Sequence, residues 1–243
     1  MAGIAAVLLG LLSLSPASVQ QQPPPPVRPS PATIPSGPPG AASTPAQPGF
    51  LVVVDPSHGG ADKGAVFAPR IFEKDITLSL ARMLRKELET RGVAVRMLRD
   101  SDVKMDLDHR AELCNHQQPA LYVALHAGEP GRGVRVYSSF LAVTETAVGR
   151  FLPWDSAQAK SLQRSQAVAR AVTRELQKRD LKAVQLQAFL RPLNNVVAPA
   201  IAVEIAVDRT DVRSVENPKL QGTVASAIAS AIEQVRDRPG VSR

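Results

Sequence analysis

From residue 50 onward, apolar and polar positions repeat with two periods in alternation. Residues 50–54 are an unbroken apolar run, ended by Asp55-Pro56 and loosened by Gly59-Gly60. Such a run, stopped by turn residues, predicts a central strand buried on both faces. Over residues 75–91, Ile76, Leu80, Leu84 and Leu88 fall four apart, the stripe of an amphipathic helix, and Gly92 follows to end it. Residues 93–98 predict a second strand, and Asp106 stands as the cap of a short helix through Asn115. Residues 120–125 and 134–138 predict strands three and four, 157–178 a long amphipathic helix, and 185–190 and 200–207 the last two strands. Asn217-Pro218 sets a cap before a proline at the first helical position, and Val224, Ile228 and Ile232 supply the final stripe. Residues 140–157 follow neither period. The alternation predicts a single α/β domain: a mostly parallel, mixed, twisted sheet of about six strands flanked by helices on both faces.

Composition separates this domain from what precedes it. The first 49 residues hold one charged residue, Arg28, so they share no core with the rest. Residues 4–14 form an 11-residue apolar run, too short to span a bilayer comfortably. Small residues follow at Ser15-Pro16-Ala17, so residues 1–19 read as a secretory signal. No Lys or Arg precedes the run, which leaves an uncleaved anchor as the alternative; the absence of cysteine there excludes a lipoprotein signal. Residues 20–49 carry eleven prolines between Pro23 and Pro48 and read as an extended linker. The net charge of +7 (29 basic, 22 acidic) lies almost wholly beyond the linker and suits an anionic partner. Two Tyr, six Phe and one Trp, with no basic–aromatic run, speak against nucleic acid. The lone Cys114 excludes an intrachain disulfide and a four-cysteine zinc site.

Candidate chemistry gathers where predicted strands end, the usual place for a site in an open α/β sheet. His58 follows the first strand and His126 the third; Glu204 stands inside the apolar run 200–206, and Glu73 just before the first helix. A carboxylate within such a run is expensive to bury without a partner or a purpose. Two histidines and a carboxylate from three loops make the ligand set of a catalytic zinc site with its fourth position open. A second carboxylate must then move the water's proton, and Glu204 is the candidate. Taken singly, a histidine after a strand also reads as structural, and Glu73 as a partner of the helix dipole.

In combination these blocks resemble the zinc-dependent N-acetylmuramoyl-L-alanine amidases of bacterial cell walls, the type 3 family. The match runs in order through residues 52–65 (VVVDPSHGGADKGA), 72–88, 95–102, 107–115, 121–128 (LYVALHAG) and 189–206. The resemblance implies one zinc ion held by His58, Glu73 and His126, with Glu204 as the catalytic glutamate. It implies hydrolysis of the amide between the lactyl group of N-acetylmuramic acid and the L-alanine of the stem peptide. Arg110 and Asn115 fall in matching blocks as candidates for supporting or substrate contacts. The implied partner is peptidoglycan and the implied place the periplasm or cell envelope, with residues 50–238 as the catalytic domain. The protein would act as a monomer with no membrane span once the signal is cleaved. Some members of that family carry an inhibitory segment that an activator displaces; Glu145 would be the metal cap here, against the plainer reading of an exposed loop glutamate. Two alternatives stand beside the amidase: a wall-binding or regulatory homologue without activity, and a zinc carboxypeptidase. The latter's first ligand pair is three apart, whereas His58 and Glu73 are fifteen apart.

The chain departs from the family pattern in three places. Ser57 replaces a glycine, Ala127-Gly128-Glu129 follows the second histidine, and Ala206-Val207-Asp208 follows the glutamate. If position 57 needs a positive φ, serine costs roughly 1 kcal/mol there. Arg110 is expected either to tether loops through paired bonds to a carboxylate or to sit on the surface. Asn115 is expected to end its helix as a C-cap, and Cys114 to be a small buried residue. His109 and His116 lie away from the strand ends. Trp154 reads as a packing residue, with sugar stacking as the alternative, and Arg170, Arg174 and Lys178 as a solvated helix face.

Overall fold

The computed structural model describes residues 50–141 and 154–237. The proposed signal and linker, and Glu145, lie outside the described residues. Six strands form the main sheet: β1 (Leu51–Pro56), β4 (Ala94–Met97), β5 (Leu121–Pro130), β6 (Val134–Ser139), β7 (Ala183–Ala188) and β8 (Ala200–Val207). Their order is β4-β1-β5-β8-β6-β7. The first four are mutually parallel; β6 runs antiparallel to β8, and β7 parallel to β6. A small antiparallel hairpin, β2 (Val66–Ala68) with β3 (Ile71–Phe72), was not legible in the periodicity. Among the described residues, four α-helices complete the fold: α1 (Glu73–Thr90), α2 (Leu107–Gln117), α3 (Leu162–Gln177) and α4 (Pro218–Arg236).

The apolar runs are buried on both faces, and alternate residues serve different layers. Val52, Val54, Val123, Leu125, Ile201 and Val203 pack with α1, α3 and α4. Val53, Tyr122, Ala124, Ala200 and Ala202 face a smaller cluster with Ala111 and Cys114 of α2 and Leu193. Asp55, His126 and Glu204 continue that second parity, so the pleat aims all three at the thinly covered face. Asp106 caps α2 by accepting from His109 N at 2.8 Å, and Asn217 caps α4 by accepting from Lys219 N at 2.8 Å.

Several boundaries differ from the sequence reading, each for a local reason. Helix α1 starts at Glu73, not residue 75, because the hairpin extends Phe72 and the loop carbonyls of Ala65 and Lys63 accept from Glu73 N and Lys74 N. Strand β5 runs on to Pro130, so His126 lies within the ladder and not after it. The expected helix 157–178 is two pieces. A 3-10 segment, Trp154–Lys160, is kinked at Ser156, and α3 begins at Leu162. The split follows from Gln158, fully buried, whose amide donates to Val196 O and Ala198 O, each at 2.6 Å. Strand β7 lies two residues earlier than expected because its register is set by β6. Helix α2 ends at Gln117 with Gln118 left-handed, so Asn115 is no C-cap. Its side chain instead donates to Asn195 O at 2.9 Å and accepts from Val197 N at 2.8 Å, tying α2 to the loop before β8.

Candidate metal and catalytic centre

The loop after β1 is held by two buried guanidiniums. Arg99 donates to Pro56 O (2.8 Å), Ser57 O (3.0 Å) and Lys74 O (2.7 Å). Arg110 donates to Pro56 O (3.0 Å), His58 O (2.7 Å) and Met105 O (3.1 Å), and pairs with Asp55. Arg110 is therefore a buried tether, and the surface alternative is wrong. Nor is its grip on the carboxylate paired: the other Asp55 oxygen accepts from Tyr122 Oη at 2.5 Å. Burial, and then the Asp55 charge, push the Tyr122 phenol well above its ordinary range, and the same two causes take Cys114 to about 12.

This frame presents His58 with φ 63°, in the left-handed region; Ser57 is not among the positive-φ residues. The strain expected at the serine thus sits one residue later. Ser57 instead meets a ligand candidate, with its Oγ 2.9 Å from His126 Nε2. Asp62 does the same for His58, with Oδ2 2.9 Å from Nδ1. The remaining ring nitrogens converge on Glu73. His58 Nε2 is 3.2 Å from Oε2, and His126 Nδ1 is 3.0 Å from Oε1. One donor atom from each of the three residues lies within 4.8 Å of the others. Those separations approach the edge of a tetrahedron around a small divalent ion, about 3.3 Å for ligand bonds near 2.0–2.1 Å. Each histidine's outward nitrogen is already engaged, which sets ring orientation as metal-ligating histidines require. The donor set therefore fits a metal ion.

Glu73 occupies the first position of α1, where its charge meets the helix dipole, yet its carboxylate does more. It also accepts from Ala65 N (3.0 Å) and Ala127 N (3.3 Å). Burial alone would raise its pKa; hydrogen bonds to His126 and His58 outweigh that and hold it well below the carboxylate range. In return Glu73, and then Asp62, raise His58 above its ordinary value against the effect of burial. The pocket tolerates no side chain at Gly64. A Cβ there would lie 2.6 Å from His58 Cδ2 and 2.7 Å from Glu73 Oε2, at φ +63°.

Glu204 stands opposite His126 in the β5–β8 register. Its Oε2 accepts from Tyr137 Oη at 2.8 Å, and Arg135 Nη1 lies 3.6 Å from Oε1. All four predicted residues line one cleft of about 750 Å³, with Val66 and Phe67 of the hairpin on its wall. Arg110 and Asn115 contribute through the backbone and do not enter it. His109 and His116 are exposed and apart from it, and Trp154 is exposed. The sequence reading missed Asp55, Asp62, Arg99, Tyr122 and Tyr137. Of these, Asp55 carried a signal, as a carboxylate ending an apolar run.

Comparison with known proteins gives a consistent picture. The profile of the N-acetylmuramoyl-L-alanine amidase family, type 3, matches residues 52–234. The germination-specific N-acetylmuramoyl-L-alanine amidase of Bacillus subtilis is 27% identical over 201 residues, covering 76% of this chain and 78% of that protein. An endolysin of Bacillus phage SPP1 is 31% identical over 166 residues, 66% of this chain and 56% of the endolysin. Among solved structures, the amidase AmiC2 of Nostoc punctiforme superposes with a TM-score of 0.61 at 26% identity, over 78% of this chain and 98% of that one.

Proposed function

The chain belongs to the type 3 N-acetylmuramoyl-L-alanine amidases, hydrolases of peptidoglycan, and we propose that it cuts the amide joining the lactyl group of N-acetylmuramic acid to L-alanine. One zinc ion would be held by His58, Glu73 and His126. The observation that carries this reading is their convergence within 4.8 Å, with Glu204 beside His126 on the neighbouring strand. Bound there, zinc supplies Lewis acidity towards the scissile carbonyl and towards water.

The chain's own groups do the rest. Glu204 takes a proton from the attacking water as general base. It returns that proton to the alanine nitrogen as the C–N bond breaks, leaving a lactyl carboxylic acid, which then ionises, and a free amine. Tyr137 fixes Glu204 by donating to Oε2, and Arg135 Nη1 stands 3.6 Å from Oε1. Asp62 and Ser57 keep the two imidazoles turned inward. The basic surface suits an anionic wall polymer. We further infer export, with residues 1–19 as leader, 20–49 as spacer and 50–238 as catalytic domain. No helix among the described residues is long and apolar enough to cross a membrane.

The test is product analysis on muropeptides with parallel metal analysis. Stem peptides with a free alanine amine should appear, and chelation should stop their release. Glu204→Gln should lose turnover by at least a hundredfold, the scale of general acid–base catalysis, while retaining zinc. Undiminished turnover in verified metal-free protein, or in Glu204→Gln, overturns the mechanism.

A further inference from the structure

The proposed metal ligands sit between two clefts. The first, of about 750 Å³, contains Glu204 and Tyr137. The second, of about 610 Å³, is lined by Lys104, Asp108, Arg110 and Arg191. His58 and His126 line both. An amide lying over these two residues therefore has one end in each cleft. Glu204 must reach the leaving nitrogen, so the peptide side lies in the first cleft. The acyl side, with its lactyl ether and sugar ring, then points into the second.

At the rim of that second cleft Arg191 pairs with Asp108. Trp154 lies beside them. The Arg191 hydrogen bond is the main cause that lowers the Asp108 pKa, and a bond from the Trp154 side chain adds to it. Trp154 is the only tryptophan in the chain and remains 49% exposed. Its backbone, by contrast, is pinned. Asn195 Nδ2 donates to Trp154 O at 3.2 Å, and Asn194 Nδ2 to Asp155 O at 3.4 Å; both asparagines are buried. A flat apolar ring is thus held open to solvent at a fixed place, edged by a carboxylate and a guanidinium. That arrangement matches a pyranose, whose C–H face packs on an aromatic ring while its acetamido and hydroxyl groups need an acceptor and a forked donor at the edge.

We propose that Trp154, with the Asp108–Arg191 pair, forms a saccharide subsite that takes an N-acetylated hexosamine ring on the acyl side of the scissile bond. The assignment rests on the amidase reading for the direction of the substrate, and its test separates the two. Because Trp154 is the sole tryptophan, its emission reports the subsite directly in the unmodified protein. The N-acetylglucosamine tetramer should give a saturable blue shift and protect the indole from acrylamide. The glucose tetramer, lacking acetamido groups, should bind at least fivefold more weakly.

In turnover, Trp154→Ala should raise KM for a disaccharide–peptide roughly tenfold, equivalent to about 1.4 kcal/mol, with kcat within about twofold. Trp154→Phe should recover most of that loss. A lactyl-peptide without a sugar ring should be cut equally by wild type and Trp154→Ala, which a merely structural role would not produce. Unchanged Trp154 emission with millimolar sugar overturns the subsite, as does an equal loss on both substrates. Wild type that binds the tetramer but cuts neither substrate leaves the subsite standing and removes the amidase reading instead.

Discussion

Replacing Arg110 by methionine tests how the site is suspended. Arg110 and Asp55 are each 1% exposed, so Arg110→Met leaves a buried carboxylate with Tyr122 as its remaining partner. Breaking one side of a buried ion pair costs about 3–5 kcal/mol, a large share of the roughly 5–15 kcal/mol that holds a domain of this kind together. Adding Asp55→Asn removes the orphaned charge and keeps an acceptor for Tyr122, so the double variant should regain about 1–3 kcal/mol. Urea unfolding of metal-free protein, followed by far-ultraviolet circular dichroism, reads both values, with the slope unchanged. Zinc affinity should behave differently. Arg110 also holds the Pro56 and His58 carbonyls, and the Asp55→Asn change restores neither contact. Both variants should therefore lose about 10–100-fold in affinity by chelator competition. A single variant within about 1 kcal/mol of wild type would refute the buried-pair argument. Recovery of metal affinity in the double variant would refute the suspension argument.

Three further outcomes follow from the same geometry. Ser57→Ala removes the hydroxyl at His126 Nε2 and should weaken zinc binding about tenfold with little change in melting; unchanged affinity would mean that the hydroxyl does not orient the ring. Gly64→Ala should fold yet hold no stoichiometric zinc by elemental analysis, because its Cβ has no room between His58 and Glu73. Glu175 is held at about 2 by hydrogen bonds from Lys178 and then Arg179, against an ordinary 4.5. A carboxylate depressed in the folded state contributes stability that is full above its unfolded pKa and fades as pH falls from 4.5 towards 2. Glu175→Gln should accordingly melt lower than wild type at pH 7, with the gap closing across that acid window in thermal scans.

Strand β8 shows what the sequence could tell and what it could not. Its apolar run and the carboxylate within it marked both a central strand and a candidate base, because burying Glu204 without a purpose is costly. Glu73 and the two histidines were legible only as a set, since each alone has an ordinary explanation. The supporting contacts were hidden for a different reason. Ser57 meets His126 across 69 residues, and Tyr137 meets Glu204 across 67. Local periodicity carries no trace of such pairs. Arg99 drew no reading, and Arg110 stood open between a loop tether and a surface charge, because the carbonyls that satisfy them belong to a loop that periodicity cannot draw. The split between the 3-10 segment and α3 was invisible for the same reason: Gln158 is bonded to Val196 and Ala198, which a helical repeat does not see.

Strands β5 and β6 follow one another in the chain with three residues between them, yet they do not pair; β8 is inserted between them. The groups proposed to hold the metal all arise by residue 126, whereas the proposed base arrives with the wedge that closes the sheet. The proposed ligands and the proposed base are thereby drawn from separate stretches of the chain. A chain interrupted before Ala200 lacks at once the keystone of its sheet and the group proposed to move the proton.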